Sequence, residues 1–289
     1  MNALASALSA ALERSFGTGV RSASRLAGGD INDAFAVELG DGRRVFVKAN
    51  AHAPDGLFRA EARGLDFLAA PRALRVPRVL ALSDAAPSFL ALELLESAPR
   101  RAAFDEELGR GLAALHRATP GAFGLDEPNF IGSLPQTNAA HARWSEFYRS
   151  ERLAPQLELA SRRGRASPAM RRGFERLFAR LDALVGPGEP PARLHGDLWA
   201  GNLHVDETGA PCLIDPAAYG GHREMDLAMM LLFGGFSERV FAAYAEAFPL
   251  APGHAERVPL HQLYPLMVHV NLFGGGYASS VERVLERYA

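Results

Sequence analysis

His195-Gly196-Asp197-Leu198-Trp199-Ala200-Gly201-Asn202, followed shortly by Ile214-Asp215-Pro216, is the stretch on which the reading of this chain turns. Asp197 and Asn202 stand five residues apart, and Asn202 and Asp215 thirteen. Residues 192–205 and 211–215 are apolar runs ending in polar residues, the pattern of strands that deliver side chains to a cleft. Phosphoryl transfer needs a carboxylate to orient the attacking hydroxyl, and oxygen ligands to hold magnesium on the donor phosphates. An aspartate, an asparagine and a second aspartate meet that need. Singly each is ordinary, because Asp and Asn populate turns and an Asp before Pro often ends a strand. Their joint spacing carries the reading.

Upstream, the basic residues add a second signal. Of 31 basic residues 30 are arginine, and Lys48 is the single lysine. Where arginine has replaced lysine nearly everywhere, the survivor marks a site that needs a compact ammonium rather than a planar guanidinium. Lys48 ends the predicted strand Arg44-Val45-Phe46-Val47-Lys48-Ala49, which follows residues 34–39 across an Asp41-Gly42 turn and so forms a hairpin with them. A helix predicted over residues 56–70 puts Leu57, Glu61, Leu65 and Leu68 on one stripe. A carboxylate among leucines is costly unless paired, and Lys48 is its natural partner. The candidate phosphate loop is Ala27-Gly28-Gly29-Asp30-Ile31-Asn32, without the G-x-G-x-x-G spacing of protein kinases.

The rest of the chain bounds the answer. At 289 residues it is long enough for two domains or one bilobal unit. With 48% hydrophobic and 22% charged residues it has material for a sizeable core. A net charge of −2 argues against a dedicated binder of nucleic acid or membrane surfaces. The lone Cys212, inside an apolar run, reads as a buried small hydrophobe, and a reducing cytoplasm fits it. Residues 1–16 read as an amphipathic helix rather than a signal peptide. The uncharged stretch 260–281 is broken by Pro265, histidines and glycines, so no membrane span is expected. Further strands are predicted at 78–82 and 89–94. Beyond the linker Ser97-Ala98-Pro99 helices dominate: 104–117, 141–163, 168–185 and several after Arg223. The Arg162–Arg165 cluster reads as a solvated helix end, His116 and His195 as hydrogen-bonded packing residues, and Asp226 as a structural group near the loop.

The Asp197, Asn202 and Asp215 set resembles the catalytic loop and metal-binding aspartate of the protein-kinase-like fold. The resemblance implies an α+β, bilobal chain with a small antiparallel-sheet N-lobe (1–96) and a mainly helical C-lobe (97–289). It makes Asp197 the base and Asn202 and Asp215 the Mg2+ ligands. Lys48, Glu61, Gly28, Gly29 and Asn32 then serve the ATP phosphates. The adenine contact falls on the lobe connection, at Glu93 and Leu95, through backbone groups.

The similarity then narrows to the fructosamine kinase (ketosamine-3-kinase) family and runs nearly end to end. It rests on Gly28-Gly29-Asp30-Ile31-Asn32, Val45-Phe46-Val47-Lys48, Glu61-Ala62-Arg63-Gly64-Leu65, Asn129-Phe130-Ile131-Gly132-Ser133, the two segments quoted first, and Asn271-Leu272-Phe273-Gly274-Gly275-Gly276-Tyr277. Asp30 departs from the cysteine that many relatives carry. The resemblance implies transfer of the ATP γ-phosphate to the sugar 3-hydroxyl of a ketosamine, a small glycated amine or a glycated lysine on protein. The 3-phosphate then leaves by elimination and frees the amine. Trp199, Asn271 and Tyr277 either shape the sugar site or pack. Two other readings share these residues: a kinase of another small alcohol or aminoglycoside, and a catalytically idle nucleotide-binding module. A metal-dependent phosphoesterase is set aside, because the early Asp-x-His and further metal-spaced histidines are absent.

Overall fold

The hairpin Asp33–Leu39 (β2) and Arg44–Ala49 (β3) turns at Asp41-Gly42, where Gly42 takes φ 87° and the Asp41 carboxylate accepts the Arg43 backbone N–H at 3.0 Å. Around it the computed structural model, which describes residues 4–26 and 32–288, builds an antiparallel sheet of five strands in the order β1-β2-β3-β5-β4. The edge strands are Val20–Arg25 (β1) and Val79–Ser83 (β4), and Phe89–Glu93 (β5) lies between β3 and β4. Strand periodicity of two sends Val45 and Val47 to one face, where Leu8 and Leu12 of helix Ser6–Phe16 (α1) cover them. Phe46 faces the other way, toward Phe58, Ala62 and Leu65 of helix Leu57–Ala69 (α2). Lys48 shares that side, so the sheet alternation aims the single lysine at α2.

The chain beyond is mainly helical: Phe104–Arg117 (α3), Trp144–Phe147 (α4), Ala154–Arg162 (α5), Pro168–Leu184 (α6), Glu224–Phe233 (α7), Glu238–Ala247 (α8), His254–Phe273 (α9) and Tyr277–Glu286 (α10). Three two-stranded sheets interrupt it. They pair Asn129–Ile131 (β6) with Leu134–Gln136 (β7), Leu203–Val205 (β9) with Pro211–Leu213 (β10), and Ala192–Leu194 (β8) with Tyr219–Gly221 (β11). The fold is the bilobal α+β arrangement expected. Among the described residues no helix is long and apolar enough to cross a membrane.

Several expectations are corrected. The helix predicted over 141–163 starts at Trp144, because His141 instead bridges back to Phe123 (N–H to O 2.9 Å). It also contains a π turn over Tyr148–Leu153. Pro155 lies just beyond and has no N–H for the Glu151 carbonyl, which accepts the Arg152 guanidinium instead, at 2.9 Å. The run 192–205 is two three-residue strands flanking a loop, opened by Gly196 at φ 81°; a Cβ there would sit 2.1 Å from the Ala217 carbonyl oxygen. The arginine cluster is only partly solvated. Arg163 and Arg165 donate to the Val270 and Asn271 carbonyls, satisfying the C-terminal end of α9.

Candidate active site

Lys48 on β3 donates to Glu61 Oε1 of α2 at 2.7 Å and also contacts the Asp215 carboxylate that follows β10. Burial works against its charge, but the two carboxylates outweigh it and raise its pKa, so the ammonium persists. Burial pushes Glu61 upward, and Lys48 opposes that shift. Asp215 adopts φ 55°, a left-handed backbone rare for an aspartate and one that clusters at functional sites.

Asp197 and Asp215 are joined by two devices. The His195 ring donates from Nε2 to the Ile214 carbonyl at 2.8 Å, while Nδ1 accepts the Asp197 backbone N–H at 3.2 Å. A wholly buried, neutral histidine thus ties the start of the loop to the residue before Asp215, and burial lowers its pKa. The Asn202 amide nitrogen reaches the Asp197 carbonyl (2.8 Å), Asp197 Oδ2 (3.1 Å) and the Asp215 carbonyl (3.4 Å). Beneath them Asp226 accepts the backbone N–H groups of His195 and Gly196 at 2.8 and 2.9 Å and meets His116 Nε2 at 3.2 Å. Burial opposes its charge, yet these donors hold Asp226 below the usual carboxylate range. His116, His195 and Asp226 are therefore the structural support expected of them.

Asp197 lies at the bottom of a recess, and burial pushes its pKa to about 7, with the Asp215 and Asp226 charges adding and the Asn202 amide opposing. A carboxylate so poised can accept a proton near neutral pH. Hard oxygen donors suit Mg2+, and both candidates fit. The Asp215 side chain is 44% exposed. The Asn202 amide, its nitrogen taken by three acceptors, presents its oxygen.

The other expected residues are dispersed. Gly28 and Gly29 lie outside the described residues. Asn32 is tied to Asn50 at 3.0 Å, beside the end of β3. The Glu93 carboxylate is held by Arg78 and Arg75, and Leu95 is half-buried in the connection to the helical part. The Trp199 indole is exposed and lies over Gly201, where a Cβ would meet the ring at 2.2 Å. Asn271 is not brought to the cleft: it is fully buried and donates to the backbone and side-chain oxygens of Gln156 at 2.9 and 2.7 Å. Tyr277 is half-buried, its ring 4.9 Å from that of His269.

His269 itself went unnoticed in the sequence. It shares the recess with Asp197, Ile131, Met229, Tyr264 and Pro265. Its Nδ1 donates to the Pro265 carbonyl at 2.8 Å, and burial lowers its pKa, which leaves Nε2 as an acceptor. The four-residue step between Pro265 and His269 on one helix face was the available signal.

Known proteins agree with this architecture. The family model for fructosamine kinase matches residues 2–289. A probable ketoamine kinase of Synechocystis sp. is 39% identical over 91% of this chain and 88% of its own. A chloroplastic protein-ribulosamine 3-kinase of Oryza sativa subsp. japonica is 36% identical over 94% of this chain and 80% of its own. Among solved structures, a candidate fructosamine-3-kinase of Thermobifida fusca YX-ER1 is 41% identical, covers 99% of both chains and superposes with a TM-score of 0.90.

Proposed function

The chain belongs to the fructosamine kinase family, phosphotransferases with a hydroxyl acceptor on sugar-amine compounds, and on that premise we propose that it moves the γ-phosphate of ATP to the 3-hydroxyl of a ketosamine. The observation that carries this reading is the linked set of contacts from Glu61 through Lys48 and Asp215 to Asn202 and Asp197, with Asp197 also lining a small recess beside Met229 and His269.

Asp197 receives the acceptor hydroxyl and takes its proton as the new oxygen–phosphorus bond forms and the bond to the departing ADP oxygen breaks. Lys48, held between two carboxylates, sets a fixed ammonium against the donor phosphates, which Asn32 also serves. Glu93 and Leu95 offer backbone groups to adenine. Asn202 and Asp215 would hold Mg2+, which when bound neutralises phosphate charge. His195 and Asp226 keep the base and the metal-side aspartate in register.

Phosphorylation at O3 has a chemical consequence. Loss of a C1 proton from the ketosamine gives an enaminol in which the C3–O bond is allylic. Phosphate leaves from there, and hydrolysis of the remaining imine frees the amine. The acceptor is a small glycated amine or a glycated lysine, and the buried, unreactive Cys212, its thiol pushed to about 12 by burial, suits a reducing cytoplasm. The test is an ATP-consumption screen across ketosamines, free sugars and aminoglycosides, with the product placed by NMR. Ketosamine turnover giving a 3-phosphate is expected. Turnover confined to free sugars or aminoglycosides would overturn the reading.

A further inference from the structure

Two helices carry the wall of the recess outward to the surface. On α7, Met225, Met229 and Phe233 recur every four residues, and on α9 so do Pro265, His269 and Phe273. In an α-helix that spacing makes a continuous stripe, and the two helices pack together. The inner members, Met225, Met229, Pro265 and His269, line the recess that holds Asp197. The outer members emerge at the rim, with Phe233 36% and Phe273 61% exposed. His269 joins the two zones, with ring centres 4.8 Å from Phe233, 5.4 Å from Phe273 and 4.9 Å from Tyr277. Trp199 borders the same rim: Gly235, two residues past Phe233, lies so close to Ala200 that a Cβ there would meet the Ala200 Cβ at 2.6 Å.

We propose that this aromatic rim is the subsite for the amine portion of the acceptor, and that the enzyme favours ketosamines whose nitrogen bears an extended apolar arm, such as a butyl or benzyl group, over those with a short or polar one. The inference rests on the ketosamine reading above. With the reacting hydroxyl at Asp197, the C1 nitrogen lies two carbons away and its substituent leaves the recess along the two stripes. The nitrogen of such a secondary amine is cationic at neutral pH, and aromatic faces attract it. Its methylenes gain by covering Phe233 and Phe273, which otherwise stand in water. Arg163 and Arg165, which end the same neighbourhood, are already committed to the carbonyls of α9 and disfavour an arm ending in a second cation.

The test uses one sugar on a series of amines: methyl, hydroxyethyl, butyl and benzyl ketosamines, with wild-type enzyme and a Phe233→Ser/Phe273→Ser double variant. For the wild type kcat/KM is expected to rise about tenfold or more from methyl to butyl or benzyl, with hydroxyethyl near methyl. In the variant that ratio should collapse toward one. A flat wild-type series, or a ratio that survives in the variant, overturns the subsite while leaving ketosamine phosphorylation intact. Absence of turnover on every ketosamine would instead remove the proposed function, and the subsite with it.

Discussion

Lys48 is held by two carboxylates, Glu61 and Asp215, in a pocket that admits a tapering ammonium. A guanidinium there would be wider and would need its donors spread over a plane. Lys48→Arg is therefore expected to lower kcat by on the order of 10² or more despite unchanged charge. Steady-state rates within a few-fold of wild type would remove Lys48 from phosphate positioning. Asp215 offers a different contrast. Asp215→Asn replaces a charged oxygen with a neutral amide, so magnesium-dependent nucleotide affinity should fall about tenfold or more. Melting without nucleotide should change much less, because Lys48 keeps Glu61. Calorimetric titration with ATP and Mg2+ checks this, and undiminished affinity would leave Asp215 a strand-end residue. The Lys48–Glu61 pair was legible in the sequence because lysine occurs once and a carboxylate interrupts a leucine stripe. The Lys48–Asp215 contact was not, since it joins residues 167 positions apart.

Among elements, α7 and α9 bear both the recess and a buried polar core. His222, one residue before Arg223 and α7, accepts the Glu224 N–H at Nδ1 (3.3 Å), and its ring lies 5.3 Å from that of His261 on α9. Arg257 clamps Glu224 through two bonds of 2.9 and 2.6 Å. Burial, reinforced by His261, lowers His222 from an ordinary 6.5 to about 3. As pH drops through 6.5 the unfolded chain takes up a proton that the folded chain refuses until near 3. This contribution to stability is thus complete above about pH 6.5 and is lost below it, at roughly 1.4 kcal/mol per pH unit. Thermal unfolding of His222→Gln should accordingly decline less between about pH 7 and pH 5 than that of wild type. Equal declines would contradict the buried, neutral histidine. Strands of three residues explain what escaped the sequence at this scale. The β6–β7 hairpin and β11 are too short for alternation to register, whereas α3, with seven buried positions on one face, was bounded to the residue.

At the scale of the whole molecule, arginines bind the sheet to the helical part. Arg75 reaches Glu93 on β5 and Asp206 and Glu207 beyond β9, while its carbonyl accepts the Leu213 N–H at 2.9 Å. Arg193 donates to the Phe67 carbonyl at the end of α2 and covers the Phe67 ring at 4.5 Å. These links hold the Lys48 and Asp197 halves of the site in register. The bilobal class and the Lys48–Glu61 pairing were readable, and Asp197, Asn202 and Asp215 stood out as candidates because phosphoryl transfer calls for such residue types at short spacings along the chain. The recess walls were not, because Ile131, Met229 and His269 come together only through tertiary packing, and an isolated Ile, Met or His carries no chemical signature. Asn271, named from a local segment, is turned inward for the same reason: the sequence does not say which side of α9 faces the cleft. In the proposed reaction Asp197 acts on the acceptor hydroxyl rather than on the nucleotide. The most direct test is Asp197→Asn, assayed for turnover of fructosyl-lysine beside calorimetry with a non-hydrolysable ATP analogue. A kcat lowered by on the order of 10² or more, kcat/KM lowered with it, and analogue affinity nearly unchanged are expected. Near-normal turnover, or loss of analogue binding, would contradict that role.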